Sequence, residues 1–346
     1  MLGSHLDTVP DAGKYDGMLG VVAAIECVHA LNNQARRLTF AIEVLGFSDE
    51  EGVRFGATLL GSRAVAGTFD PALLDKLDHE GTSMGSALAT FGLDPVQIAC
   101  AAHKRADVLA YAELHIEQGP LLEAEGLAVG VVTAINGTNR FLVEIDGMAG
   151  HAGTVPMHLR QDALAAASEC VLAIEDRCAH TPELVGTVGK LETLPGATNV
   201  IPGKVLFTID VRSPRDAERL LAVADIGKAM QMICARRNVT LKINPAHEGK
   251  TAACAPWLME QIGHAIAIED LPVRKLPSGA GHDGMALVEL TDIGMLFVRC
   301  KGGISHNPAE AITLEDVETS ARIFLRFIEN FRPADRATSG QTRDIQ

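Results

Sequence analysis

The chain has no surplus of basic residues: 30 Lys and Arg stand against 44 Asp and Glu, a formal charge of −14. That balance argues against nucleic acid as a partner and says little about substrate, because local charge decides that. Long apolar runs are missing as well. None reaches the ~20 residues that cross a bilayer, and no basic-then-apolar segment opens the chain as a secretory signal would. The seven cysteines show no paired spacing, which fits reduced thiols in a cytoplasmic protein. Cys27, Cys170 and Cys234 sit in apolar helical patterns and read as packing. What remains is the make-up of a soluble globular protein: 346 residues, 47% hydrophobic and 21% charged. Single cores seldom grow beyond ~250–300 residues, so two domains are expected.

The hydrophobic pattern predicts a helix over 17–32 and a strand over 38–47, then a helix over about 57–66. A polar stretch of low periodicity follows to about residue 107, and 108–114 reads as a strand that delivers His115 at its end. The pattern changes after about Thr133. Strands are predicted at 139–146, 186–192, 203–211 and 239–245, and helices at 158–180 and 214–237. That order, strand–helix–strand–strand–helix–strand, is the split β-α-β arrangement of a ferredoxin-like α+β domain. From about Thr251 the α/β character resumes, with a helix at 256–267, a strand at 294–299 and a last helix at 314–331. The expected organisation is therefore a catalytic α/β domain of residues 1–133 and 251–333, with 134–250 inserted in it. Residues 334–346 are expected to form a flexible tail.

Five segments carry the chemistry: Gly3-Ser4-His5-Leu6-Asp7, Tyr15-Asp16-Gly17, Asp49-Glu50-Glu51-Gly52, Glu113-Leu114-His115-Ile116-Glu117 and Ser305-His306-Asn307-Pro308. Together they suit two divalent ions, one ligated by His5 and Glu51 and the other by His115 or His306. Asp16 offers one oxygen to each and would bridge them. Borderline cations such as Zn²⁺ or Mn²⁺ take N/O ligands of this kind. Asp7 follows His5 by two residues, which on an extended segment puts both side chains on one face. It is placed to accept a hydrogen bond from the His5 ring nitrogen not used for metal, although a solvated turn aspartate has the same spacing. Glu50 and Glu51 are adjacent and point apart, so they take different roles: Glu51 as metal ligand, Glu50 as general base. Glu50 would take a proton from water and pass it to a leaving nitrogen.

The inserted segment carries His151 in Gly150-His151-Ala152-Gly153, Asn199 in Ala197-Thr198-Asn199-Val200, and Arg212 at the end of a strand. An imidazole and an amide can donate to the oxyanion of a tetrahedral intermediate. A guanidinium suits bidentate clamping of a carboxylate. Read singly, His151 is more often a structural turn residue and Arg212 more often a surface ion pair. His282 lies on the small-residue loop Ser278-Gly279-Ala280-Gly281, where close approach to a ligand is open to the backbone.

At these segments the sequence resembles the amidase branch of the dinuclear-metal aminoacylase/carboxypeptidase superfamily. The marks are GSHLDTV at 3–9, DEEGVRF at 49–55, ELHIEQG at 113–119, HAGTVPM at 151–157, NVIPG at 199–203, SGAGHD at 278–283 and GISHNPAE at 303–310. The resemblance implies a metallopeptidase-like domain, a mixed sheet flanked by helices, with an inserted ferredoxin-like domain that is both lid and homodimer interface. It implies two metal ions, Zn or Mn, held by His5, Asp16, Glu51, His115 and His306, with Glu50 as base and His151 and Asp7 assisting catalysis. It also implies substrate binding by Gln118, His151, Asn199, Arg212, Gly281 and His282, some of them acting in the partner subunit. Members of this branch carry several tens of residues before the first metal motif. Here that motif opens at residue 3, so the catalytic domain is expected to lack an N-terminal portion.

The function implied is hydrolysis of the terminal ureido amide of a small carboxylated substrate, such as allantoate in purine catabolism or an N-carbamoyl-L-amino acid. The products are ammonia, carbon dioxide and the freed amine. Alternatives are an aminoacylase or dipeptidase of the same superfamily, against which Gln118 and His282 count, and a non-catalytic, truncated dimerising fragment.

Overall fold

The computed structural model describes residues 1–334, and the tail expected at 334–346 lies outside them but for its first residue. The described chain divides into two compact units, one of Met1–Ile135 with the chain from Ala253 onward, the other Asn136–Ala252.

The first unit is built on a mixed sheet. Its central order is Val129–Ile135, Ile293–Val298, Tyr111–Ile116, Leu2–His5 and Val44–Phe47; Lys275–Ser278 also pairs with Val129–Ile135. The last four strands of that order run parallel, whereas Ile293–Val298 meets Val129–Ile135 antiparallel. Tyr111–Ile116 and Ile293–Val298 are buried along their whole length, as parallel strands covered on both faces are. The helix Met18–Asn33 and the pair Pro256–Ile268 and Leu314–Asn330 contribute to one core, including Ala24, Leu114, Leu258, Ile262, Leu296 and Phe324. Thr313 caps the last helix: its hydroxyl accepts from the Asp316 amide at 3.1 Å and donates to the Asp316 carboxylate at 2.7 Å, a reciprocal pair that fixes the helix start.

The second unit has an antiparallel sheet ordered Thr240–Gly249, Gly137–Asp146 and Lys204–Ser213, with Val185–Thr187 and Leu191–Leu194 both paired to the last. Burial alternates strictly along Lys204–Ser213, the signature of a sheet covered on one face. Val143, Ile145, Val205, Phe207, Ile209 and Val211 pack with Ala166, Cys170, Ile226 and Met230 of the helices Ala163–Ala179 and Asp216–Arg236.

Three local expectations change. The strand expected at 38–47 pairs only over Val44–Phe47, because its ladder begins with Leu2 opposite Val44 and the preceding residues face no strand. The strand expected at 186–192 is two short pieces separated at 188–190. Val129–Ile135 and Lys275–Ser278, unmarked by the sequence pattern, complete the main sheet.

Candidate metal centre

The parallel strands deliver the site at their carboxyl ends, where α/β sheets place ligands. His5 is the last residue of Leu2–His5, His115 the penultimate residue of Tyr111–Ile116, and Glu50 and Glu51 follow Val44–Phe47. Asp16 and Gly17 open the helix that begins at Met18. Gly17 has φ 69°, and an added Cβ there would overlap the His5 ring, so the turn into the helix requires glycine.

Two imidazoles are fixed by backbone carbonyls. His5 Nδ1 lies 2.8 Å from the Asp7 carbonyl oxygen and His115 Nδ1 lies 2.9 Å from that of Ile116. A carbonyl only accepts, so each Nδ1 carries the proton and each Nε2 is turned inward as a donor atom for a cation. The Gly17 amide donates to His115 Nε2 at 3.2 Å, in keeping with that tautomer. The two Nε2 atoms are 3.4 Å apart, and Asp16 Oδ1 lies 3.2 Å from that of His115 and 3.6 Å from that of His5. On the other side of Asp16, His306 Nε2 lies 3.0 Å from Oδ2 and 3.1 Å from Glu51 Oε1. Two groups of potential ligands, His5–Asp16–His115 and Asp16–Glu51–His306, therefore share Asp16.

Electrostatics favour positive charge in both groups. Burial opposes an imidazolium at His5, yet Asp16, Glu50 and Asp283 outweigh it and hold the ring at about 10. Hydrogen bonds to Asp16 and then Glu51 hold His306 at about 10. Burial also opposes ionisation of Asp16, but His115, His306 and His5 keep its carboxyl far below the usual range. Apart from these imidazole contacts, Asp16 Oδ1 and Glu51 Oε1 are buried without a hydrogen-bond partner. Orphaned buried carboxylate oxygens beside inward imidazole nitrogens fit a divalent cation with mixed N/O ligands.

Glu50 belongs to neither group. Burial pushes its carboxyl well above the ordinary range, and the charge of Asp283 adds to the effect. Gly281 passes close by: a Cβ there would stand 3.7 Å from Glu50 Oε1. Gln118 has φ 56° and donates through Nε2 to Asp16 Oδ2 at 3.0 Å and to Ser305 Oγ at 3.2 Å, so it lies against the shared carboxylate.

The geometry corrects three expectations. His5 groups with His115, and Glu51 with His306, instead of His5 with Glu51. Asp7 orients His5 through its backbone carbonyl; its carboxylate is spent on the Glu50 and Glu51 amides, each at 3.1 Å, and so holds those two residues in place. His282 is 0% exposed and is not on the open surface of the site. Its Nε2 lies 2.8 Å from Ser278 Oγ and its ring packs edge-on against His115 with centroids 4.4 Å apart. It packs against His115 and is held by Ser278.

Within the second unit, His151 and Asn199 come together. His151 pairs with Val200 in a two-stranded ladder, and the Ala152 amide donates to the Asn199 carbonyl at 2.9 Å. His151 Nδ1 accepts from the Gly153 amide at 3.1 Å, so the neutral ring carries its proton on Nε2. Arg212 meets Asp210 through Nε and Nη2, both at 2.9 Å, and Arg140 shares the same carboxylate.

Sequence reasoning assigned no role to Glu310, Ser305, Glu113 or Asp283. The first two lie within GISHNPAE, where a buried Glu four residues past a ligand histidine was the available signal. Glu113, between Tyr111 and His115, accepts from Ser4 Oγ at 2.7 Å and from the Tyr111 hydroxyl at 3.0 Å. No helix among the described residues is long and apolar enough to cross a membrane.

The model of peptidase family M20/M25/M40 matches residues 1–330. The chain is 40% identical over 361 residues to allantoate deiminase 1 of Glycine max, covering 95% of this chain and 75% of that protein. It is 42% identical over 323 residues to an N-carbamoyl-L-amino acid amidohydrolase of Geobacillus stearothermophilus, covering 93% and 79%. A solved amidase of the hydantoinase/carbamoylase family from Burkholderia multivorans superposes with a TM-score of 0.89 at 34% identity, covering 94% and 79%. The resemblance read from the motifs is thereby borne out, and the chain belongs to peptidase family M20/M25/M40.

Proposed function

We propose that this protein is a dinuclear-metal amidohydrolase that cleaves the terminal ureido amide of a small carboxylated substrate. Allantoate is the first candidate and an N-carbamoyl-L-amino acid the second. The observation that carries the reading is the pair of donor groups sharing Asp16, with the buried Glu50 outside both. Relatives named allantoate deiminase and N-carbamoyl-L-amino acid amidohydrolase support the substrate class.

In this reading His5, His115 and Asp16 would hold one ion, and Asp16, Glu51 and His306 the other, either Zn²⁺ or Mn²⁺. When bound, such ions polarise a carbonyl and bring the pKa of water from 15.7 toward ~7. Glu50 takes the proton of the attacking water and returns it to the departing nitrogen, which leaves as ammonia. Its raised pKa suits both halves of that transfer. The carbamate left behind loses carbon dioxide to free the amine. His151 Nε2–H and the Asn199 amide donate to the oxyanion, Gln118 and Gly281 line the reacting group, and Arg212 clamps the substrate carboxylate. The inserted domain would also supply the homodimer interface.

The test is ammonia release from allantoate and a panel of N-carbamoyl-L-amino acids by protein loaded with Mn²⁺ or Zn²⁺. Turnover of one substrate class is expected. A folded, metal-loaded protein inert toward the whole panel overturns the reading.

The clamp gives a further expected outcome. Arg212→Ala should raise KM for carboxylated substrates roughly 10–100-fold, the ~1.5–3 kcal/mol of a charged hydrogen bond, with kcat little changed. The fold should persist, because Asp210 keeps Arg140 and Thr138 as partners. Kinetics on a carbamoyl amino acid beside its carboxamide decide it: if Arg212→Ala leaves the preference for the carboxylate unaltered, the clamp lies elsewhere.

A further inference from the structure

Glu310 is 5% exposed and its carboxylate makes three hydrogen bonds, two to the distant Tyr15–Asp16 stretch and one to Ser305 five residues before it. Its Oε1 accepts from the amides of Tyr15 at 2.9 Å and Asp16 at 3.2 Å. Its Oε2 lies 3.0 Å from Ser305 Oγ, which in turn lies 3.2 Å from Asp16 Oδ2. One carboxylate thus joins the backbone of the shared ligand Asp16 to the residue preceding the ligand His306.

Two more observations show a built arrangement. An added Cβ at Gly13 would overlap the Glu310 side chain, so glycine there leaves the room that Glu310 fills. His306 itself has φ 56°, a left-handed conformation that non-glycine residues hold only when their surroundings enforce it. On one side Ser305 is tied to Glu310 and Asp16. On the other, Asn307 closes a turn by accepting from the amides of Ala309 at 2.9 Å and Glu310 at 3.0 Å.

We propose that Glu310 is a positioning residue for the Asp16–Glu51–His306 group, holding Asp16 and the Ser305–His306 segment at the separation a cation there requires. The inference rests on the two-ion reading. The His5–His115 pair does not depend on Glu310, since both rings are fixed by carbonyls on other segments. Loss of Glu310 therefore weakens the ion of the Asp16–Glu51–His306 group most and reaches the other only through the shared Asp16.

The test compares wild type with Glu310→Ala, Glu310→Gln and Gly13→Ala. Calorimetric Zn²⁺ titration follows each ion, and hydrogen–deuterium exchange of the metal-free proteins follows the two segments. Glu310→Ala should weaken one ion roughly 10–100-fold, the usual effect of removing a partner that orients a ligand, and weaken the other distinctly less. Exchange should rise in peptides covering 13–17 and 303–310 alone. Gly13→Ala should act in the same direction with Glu310 still present. Glu310→Gln should restore both readouts, because its amide oxygen accepts from Tyr15 and Asp16 while its NH₂ donates to Ser305. The proposal fails if Glu310→Ala binds both ions as wild type does and exchanges unchanged. It fails equally if both ions weaken together with exchange rising throughout the chain, or if Glu310→Gln is as damaging as Glu310→Ala. Wild type that binds fewer than two ions refutes the two-ion reading instead, and the metal-free exchange data still decide whether Glu310 ties the two segments together.

Discussion

Glu50→Gln is expected to keep its bound metal and lose hydrolysis roughly 10²- to 10⁴-fold, the contribution of a positioned acid–base group, or about 3–5 kcal/mol of barrier. The argument is one of placement. Glu50 stands outside both donor groups, so its removal takes no ligand from either ion. Its backbone amide is held by the Asp7 carboxylate at 3.1 Å, which the substitution leaves intact. Glutamine has the same shape but takes up no proton from water near neutrality and returns none. Removing a buried carboxylate beside Asp283 also relieves like-charge repulsion, so stability should hold or rise. Metal content, the thermal midpoint and steady-state kinetics on the best substrate check all three statements. Near-normal kcat would remove Glu50 from the base role, and loss of metal would make it a ligand.

Asp16→Ala is expected to abolish activity by emptying both sites, because its two oxygens serve the two groups. The loss in affinity should exceed the roughly 10–100-fold typical of outer partners, since a ligand itself is removed. His306→Ala is the informative contrast: it leaves His5, His115 and Asp16 in place and should cost one ion. Metal analysis after dialysis separates the cases, with two ions for wild type, one for His306→Ala and none for Asp16→Ala. If Asp16→Ala retained two ions, Asp16 would not be shared.

Much of this was legible in the sequence. Helix periodicity located Met18–Asn33 and Leu314–Asn330 closely, and the family resemblance carried the mixed sheet flanked by helices. The residues His5, Asp16, Glu51, His115 and His306 were found because cation chemistry restricts residue type. Their partition was not, since it depends on how chain ends converge in space. His5 and Asp7 show why spacing rules break at an element's end. Alternation holds along an extended strand, but the strand stops at His5, so a carbonyl meets the imidazole and the carboxylate turns to Glu50 and Glu51. Small residues before His282 suggested an open ligand loop. The same freedom lets that loop turn His282 inward beneath His115, with Ser278 as its partner. Glu310 drew no role because two of its three partners lie 294 and 295 positions away in the chain.

The most direct measurement is a crystal structure of the Zn²⁺-loaded protein with anomalous data collected at the zinc edge. Two peaks flanking Asp16 are predicted, one against His5 and His115 and the other against Glu51 and His306. A single peak, or peaks away from Asp16, would contradict the account.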